Sequence, residues 1–497
     1  MHKQLTLDEI QAFKGKYPRQ LWYLFFSEMW ERFCFYGMRG MLVIFMVDKT
    51  VGLHMKDDVA NLQYGATQAF VYAFTFIGGL FADKILGLRK SLFWGGFLMI
   101  AGSCILAINP HDYFFIGIAF TIIGTGFFKP NISTMVGHLY KKGDARTDAG
   151  FSLFYAGINL GALIGGYVCV TLGKNYSWNM AFGLAAIVMS ISLLTFLFTQ
   201  RSLGPIGLSP LIKSEDGRSK TWYEYVVYVG SLCVIPLIML MVSKTEYTDI
   251  FMYIIGPCSL IYLFYEMRHF SLVENKKLIA ALVFIVFSIF FWAFFEQSGG
   301  SLSLFAANNL HNTVCGIKLD PNGVNNSSNS FFVIIFAALV GMVWLWMNKR
   351  KMEPNTVVKF GLGFLFLAIG FYIFYYTRFF ADENGVTSLN VFTFAWFIIT
   401  FGELCLSPIG MSVMTKLSPQ KTQAVIMGMW FLASAYGQYF AGILGAGMAT
   451  ANENATLTEK LIAYTDGYRQ LAIYALIAGV LMIVISPLVR KLMQEVK

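Results

Sequence analysis

Fourteen windows of this chain each hold about 20 mostly apolar residues, the length a helix needs to cross the hydrocarbon core of a bilayer. They lie near 20–47, 64–83, 91–108, 113–137, 148–173, 178–199, 222–243, 249–267, 277–305, 329–348, 357–377, 390–415, 422–448 and 469–489. With 57% hydrophobic and 13% charged residues, the composition departs from soluble chains, which are about a quarter charged. The expected fold class is therefore an all-α, polytopic membrane protein. A soluble enzyme, a nucleic-acid binder and a disulfide-built secreted domain are excluded as readings of the whole chain.

The net charge of +9 is a matter of topology. Fourteen spans put both termini on one side, and Lys and Arg concentrate in cytoplasmic loops. Of the 37 Lys and Arg, 26 fall at the termini and in the loops on their side, eight in the opposite loops and three (Arg32, Arg39, Lys129) within spans. Both termini are expected in the cytoplasm. The opening stretch MHKQLTLDEIQAFKGKYPRQ is polar and mixed in charge, so it does not read as a cleavable signal peptide. Polar joins at 200–221 and 266–277 bracket spans seven and eight. The layout reads as an N-terminal six-helix bundle (1–200), a linker with two extra spans (201–276) and a C-terminal six-helix bundle (277–497). Six plus six resembles the major facilitator fold, whose halves pack around a midplane cavity. The turn from Gly79 to Lys84, ending in Arg89-Lys90, fits that superfamily's short cytoplasmic loop. The Asn-rich stretch 306–328 reads as an extracellular loop, and its sequon Asn325-Asn326-Ser327 as chance.

Seven ionisable residues sit well inside spans: Glu28, Glu31, Arg32, Arg39, Lys129, Glu296 and Glu403. Each costs about 2.5–3.5 kcal/mol at a helix centre. Unpaired, the seven would sum to roughly 20 kcal/mol, more than the 5–15 kcal/mol that holds a typical fold together. They must pair or face a wet cavity, and four acids against three bases leave one acid that could carry a proton. In span one, Glu28, Glu31, Arg32 and Arg39 form one helical stripe, continued by Phe35 and Tyr36. At the helical rise, Glu28 and Glu31 lie about 12–17 Å from the cytoplasmic edge, and Arg39 and Glu296 both about 28 Å. Lys129, reached from outside about 24 Å down, shares the cytoplasmic half with Glu28, Glu31 and Arg32. Glu403 opposite Lys129 would create a field suited to a zwitterion, amine to Glu403 and carboxylate to Lys129 or Arg32.

The same residues carry a family likeness. The run from Glu28 to Arg39, EMWERFCFYGMR, resembles the ExxERFxYYGxR stretch of proton-coupled oligopeptide transporters. The run Phe154 to Gly161 is similar to their FYxxINxG signature, and GFFKPNIS, around Lys129 and Pro130, to their fourth-span lysine motif. FWAFFEQ, from Phe291 to Gln297, and GELCLSPIG, from Gly402 to Gly410, resemble their seventh and tenth core spans. The motifs come in family order across both halves, and the two extra spans resemble those of bacterial members.

That resemblance implies a symporter of di- and tripeptides working by alternating access, with protons as coupling ion and no cofactor. It implies proton coupling by Glu28, Glu31, Arg32, Lys129 and Glu296, and an extracellular gate of Arg39 with Glu296. It implies a substrate site of Arg32, Tyr36, Tyr72, Lys129, Tyr155, Asn159, Trp292, Asn329, Glu403, Ser407 and Trp430, with Lys129 on the peptide carboxylate and Asn159, Asn329 and Glu403 at the amino end. Two departures stand out: VYAFTFIGG around Tyr72 lacks the family's proline, and Phe35 replaces the first motif tyrosine. The expected partners are peptide, protons and lipid, with no nucleic acid, a monomer as functional unit, and a bacterial plasma membrane as location. Transport of another small solute such as nitrate is the alternative, although no His lies in span nine, where a plant-type nitrate site would need it. An intramembrane enzyme finds no Ser/His pair or His/Cys cluster within the spans. The seven Cys read as small core residues without metal spacing, and most Tyr and Trp as packing or interfacial belt.

Overall fold

The computed structural model describes residues 5–141, 143–144, 146–213, 221–419, 423–450 and 455–496. Their backbone is helical almost throughout, because in hydrocarbon every peptide group must bond within its own segment. The helices of the first half are α1 (Leu7–Gln11), α2 (Arg19–Val47), α3 (Asp57–Phe81), α4 (Leu88–Ile108), α5 (Phe114–His138), α6 (Thr147–Asn175) and α7 (Trp178–Thr199). Then come α8 (Trp222–Cys233), α9 (Ile235–Ser243) and α10 (Thr245–Glu266). The rest are α11 (Leu272–Phe295), α12 (Ser301–Asn309), α13 (Pro321–Lys349), α14 (Thr356–Tyr376), α15 (Leu389–Leu417), α16 (Gln423–Met448), α17 (Leu457–Val484) and α18 (Ser486–Met493). A two-stranded antiparallel hairpin, β1 (Thr313–Val314) and β2 (Ile317–Lys318), precedes α13.

Each of the fourteen apolar windows falls on helix, α8 and α9 sharing one window and α11 and α12 another. Among the described residues, twelve spans are long and apolar enough to cross a membrane. The other two fall short for chemical reasons. Helix α2 carries Glu28, Glu31, Arg32 and Arg39, and α16 carries Gln438 among glycines and tyrosines.

The structure departs from the sequence expectation at four places. The seventh window breaks at Val234, just before Pro236, whose ring removes a backbone donor and crowds the preceding turn. The ninth is not one helix: a single 3₁₀ turn, Glu296–Gly299, separates α11 from α12. Most of the Asn-rich stretch is not loop. Asp320 caps α13 by accepting from Gly323 N (2.9 Å), and the asparagines occupy the first turns of that helix. Asn325 is 1% exposed and donates to Ser298 O (2.7 Å), so the sequon is packed inside the protein. The last span starts at Leu457, behind a Thr456/Glu459 capping box, which puts Lys460 in a helix rather than a loop.

The chain forms two compact units, Met1–Phe45 with Val51–Leu53 and Phe70–Ser243, and Met46–Thr50 with His54–Ala69 and Lys244–Lys497. Of the inserted spans, α8 and α9 group with the first unit and α10 with the second. Residues 214–220 of the join before them lie outside the described residues. Helix α8 is held to α4 by Lys90 Nζ on Glu224 Oε2 (2.6 Å) and by Trp94 Nε1 donating to Ser231 Oγ (3.0 Å). In the second unit, Tyr439 OH donates to Asp249 Oδ1 on α10 (2.6 Å), and Tyr436 OH to Met252 O.

In the first unit α6 lies directly on α2. A Cβ on Gly161 would sit 2.1 Å from Met29 O, and one on Gly165 2.1 Å from Phe33 O. Small residues four apart thus bring the two backbones together at the level of Glu28, Glu31 and Arg32, as in membrane helix pairs generally. Across α2, Ser27 and Ser192 exchange hydroxyl-to-carbonyl hydrogen bonds of 3.3 and 2.6 Å, fixing α7 at the same depth. The charged stripe is thereby gripped from two sides. Gly161→Ala should lower the melting temperature of the detergent-solubilised protein, the crowding costing about 1–3 kcal/mol. Gly341→Ala, where a Cβ meets nothing within 4 Å, should leave it unchanged. Equal melting temperatures for the two variants would refute the close helix contact.

Candidate functional site

The centre of the first unit is a buried ionic cluster. Arg32 is 2% exposed, Glu28 3% and Glu31 0%. The Arg32 Nε donates to Glu28 Oε1 at 2.8 Å and lies 2.7 Å from Glu31 Oε2. One guanidinium nitrogen therefore serves two carboxylates. Among the described residues, neither oxygen of Glu31, nor Glu28 Oε2, nor Arg32 Nη2 makes a hydrogen bond. Buried groups in that condition are costly and are found where a charge or a proton has to change place.

Lys129 comes from α5 and joins this cluster through aromatic surface. Its Nζ sits 4.4 Å from the ring centre of Tyr72 and 5.6 Å from that of Phe35. The Arg32 guanidinium lies 5.4 Å from the same Phe35 ring, so two cations share that ring. Lys129 acts electrostatically on both Glu28 and Glu31. Pro130 next to it lacks an N–H, and side chains add bonds to the turns on either side: Asn131 Nδ2 donates to Phe127 O (2.6 Å), and Thr134 Oγ1 to Pro130 O (2.9 Å). Further along α2, Arg39 is half-buried, its guanidinium 5.8 Å from the Tyr36 ring. On α6, Asn159 is buried and donates to Tyr155 O (3.0 Å), an assignment within its own helix.

The second unit contains a polar chain. Asn329 Nδ2 donates to Glu403 Oε2 (2.7 Å), with Thr400 Oγ1 at 3.4 Å, and Thr400 in turn donates to Trp396 O (2.8 Å). Trp396 Nε1 donates to Asn325 Oδ1 (3.2 Å), and Asn325 reaches the helix break at Ser298. The break is held open by side chains: Gln297 Nε2 donates to Ala293 O and Ala441 O, and Ser301 Oγ to Gln297 Oε1. Glu296 begins this turn and is 3% exposed. Trp292 packs edge-on against Phe291 and Phe295. Trp430 lies flat against Gly410, where a Cβ would meet its ring at 2.2 Å. Ser407 and Pro408 lie outside the residues whose side chains are described.

The expected residues thus form two sets. Glu28, Glu31, Arg32, Lys129, Tyr36, Tyr72 and Arg39 share the first unit, with Tyr155 and Asn159 on an adjoining helix. Asn329, Glu403, Glu296, Trp292 and Trp430 belong to the second. Sequence reasoning missed Phe35 as a shared platform for two cations, and missed Asn325, Trp396 and Thr400 behind Glu403. The spacing Asn322, Asn325, Asn329 marks one helical face and held the signal for Asn325, hidden once the stretch was read as loop. Arg32→Gln leaves two buried carboxylates without their cation and should destabilise the protein by about 3–5 kcal/mol. Adding Glu28→Gln should recover part of that loss, read from thermal unfolding of the single and double variants. An additive double variant would dissolve the shared-cation arrangement.

Comparison with known proteins places these features. The transporter YclF of Bacillus subtilis is 32% identical over 487 residues, covering 97% of this chain and 96% of its own. A di-/tripeptide transporter of Lactococcus lactis is 31% identical over 504 residues and 97% of each chain. The crystal structure of a peptide transporter POT in complex with sulfate superposes with a TM-score of 0.85 at 31% identity, covering 99% of this chain and all of that one. The architecture is that of these major-facilitator-type transporters, a twelve-span core with two added helices. The sequence profile of the POT family matches residues 89–461, and the chain belongs to that family.

Proposed function

We propose that this protein carries di- and tripeptides into the cytoplasm together with protons, by alternating access and as a monomer in a bacterial plasma membrane. The observation that carries the reading is the buried set Glu28, Glu31 and Arg32 with Lys129 beside it. Two fixed positive and two fixed negative charges balance. A peptide carboxylate that settles on Lys129 adds one negative charge to a low-dielectric site, and a proton on Glu28 or Glu31 restores neutrality. Binding of peptide and binding of proton thereby favour each other, which is what symport requires. When the proton leaves, the freed carboxylate competes for Lys129 and Arg32 and displaces the peptide. The membrane potential contributes about 2.3 kcal/mol per net charge per 100 mV toward accumulation.

Glu403 supplies the opposite pole. Held by Asn329, it suits a peptide amino group, with Asn159 assisting, while Tyr36, Tyr72, Tyr155, Trp292 and Trp430 give side chains apolar and aromatic surface. Arg39 and Glu296 are assigned the part of a protonation-sensitive outer gate. The names of relatives such as the Lactococcus lactis di-/tripeptide transporter support the substrate class. The excess of Lys and Arg on the side of both termini supports the cytoplasmic orientation.

The test is uptake of labelled dialanine into tight proteoliposomes with an inward proton gradient and with that gradient collapsed. Accumulation should need the gradient and be competed by tripeptide but not by free alanine. Uptake of nitrate or another solute in place of the peptide would overturn the substrate. Glu31→Gln should abolish gradient-driven uptake yet keep counterflow of peptide, and Lys129→Gln should lose both. Gradient-driven uptake surviving in Glu31→Gln would move the coupling elsewhere.

A further inference from the structure

Within the second unit, the turn between α13 and α14 and the short helix α18 enclose a cavity of about 1110 Å³. Its wall carries four cations, Lys351, Lys359, Arg490 and Lys491, against one anion, Glu353. Lys359 is spent on Glu353, which also accepts from Asn348. Lys351, Arg490 and Lys491 make no ion pair among the described residues and leave an excess of three positive charges.

The surroundings place this cavity at the boundary of a bilayer. Arg350 lies 4.4 Å from the ring centre of Trp346, and Lys359 4.7 Å from that of Trp344, the pairing of cation and indole found at headgroup depth. The turns leading into the cavity bare apolar surface: Leu345 is 65% exposed, Val484 68% and Leu488 61%. Helix α18 is two-faced, with Val489 and Met493 buried and Arg490 and Lys491 outward. Ser486 Oγ donates to Asn355 Oδ1 (3.2 Å) and ties α18 to the start of α14, so the wall is built rather than hanging loose. An excess of Lys and Arg alone would be explained by topology. A volume of this size, lined by the cations and within one helical turn of these exposed apolar residues along the chain, would not.

We propose that this cavity binds the headgroup of an anionic phospholipid from the leaflet that both termini face. The phosphate and its glycerol would meet Lys351, Arg490 and Lys491, and the acyl chains would run along the exposed apolar residues of α13, α17 and α18. Such an anchor would fix α18 against the second unit at the membrane surface, independently of what the protein transports.

Native mass spectrometry of the full chain, loaded with phosphatidylglycerol, phosphatidylcholine or inorganic phosphate, tests this. The protein should retain phosphatidylglycerol in preference to phosphatidylcholine. The triple variant Lys351→Gln, Arg490→Gln, Lys491→Gln should lose that preference, by about fivefold for each cation removed. Lys14→Gln with Lys16→Gln, cations of the first unit that do not line the cavity, should keep it, and so should the charge-preserving set Lys351→Arg, Arg490→Lys, Lys491→Arg. Equal retention of both lipids, or equal loss in the Lys14/Lys16 variant, would overturn the site. Displacement of phosphatidylglycerol by millimolar inorganic phosphate would make it a free-anion site and overturn the lipid assignment.

Discussion

A carboxylate or guanidinium removed from water has to find its counter-charge inside the protein, and in this chain that requirement falls on one nitrogen atom. Arg32 Nε stands between Glu28 and Glu31, all three buried. Much of the first unit can be read as support for that atom. The glycines of α6 let its backbone lie against α2 at Met29 and Phe33, beside the stripe that carries the charges. The serine pair Ser27/Ser192 clamps α7 from the other side. Phe35, where the family motif has a tyrosine, presents a ring to both Arg32 and Lys129. A phenyl ring carries no hydroxyl, so Phe35 meets these two cations with its ring alone.

The second unit solves the opposite problem. Of its two acids well inside spans, Glu296 and Glu403, the second is met by an amide. Asn329 donates to the carboxylate, and the chain continues through Thr400, Trp396 and Asn325 to the carbonyl groups freed by the break after Phe295. An amide can donate to a carboxylate without neutralising it.

Span number and order were legible because hydropathy over 20 residues is a strong signal, and all fourteen windows fall on helix. The deep charges were legible for the same reason, since each violates the pattern around it. What escaped was polar sequence doing buried work. Asn322 and Asn325 read as loop because amides are hydrophilic, yet they lie in the first turns of α13 and bond the carbonyls of Ser303 and Ser298. Helix α17 begins twelve residues before the apolar window, since Tyr464 and Tyr468 are packed in the core despite their hydroxyls. The break at Glu296–Gly299 depends on partners distant in sequence: a Cβ at Gly299 would meet the Tyr64 hydroxyl at 2.0 Å, and no local pattern announces that. Phe35 shows the limit for the site: its replacement of tyrosine was visible, but its position between two cations is a property of packing.

In the proposed symport the peptide's carboxylate and the proton enter as a neutral pair around Arg32 and Lys129. Calorimetry of peptide binding in buffers of differing ionisation enthalpy measures this directly, because the slope of the observed heat counts the protons exchanged on binding. About one proton per peptide should be taken up near neutral pH. Glu31→Gln, already neutral, should bind with little or no exchange. Binding in the unaltered protein with no proton uptake would rule out the neutral pair.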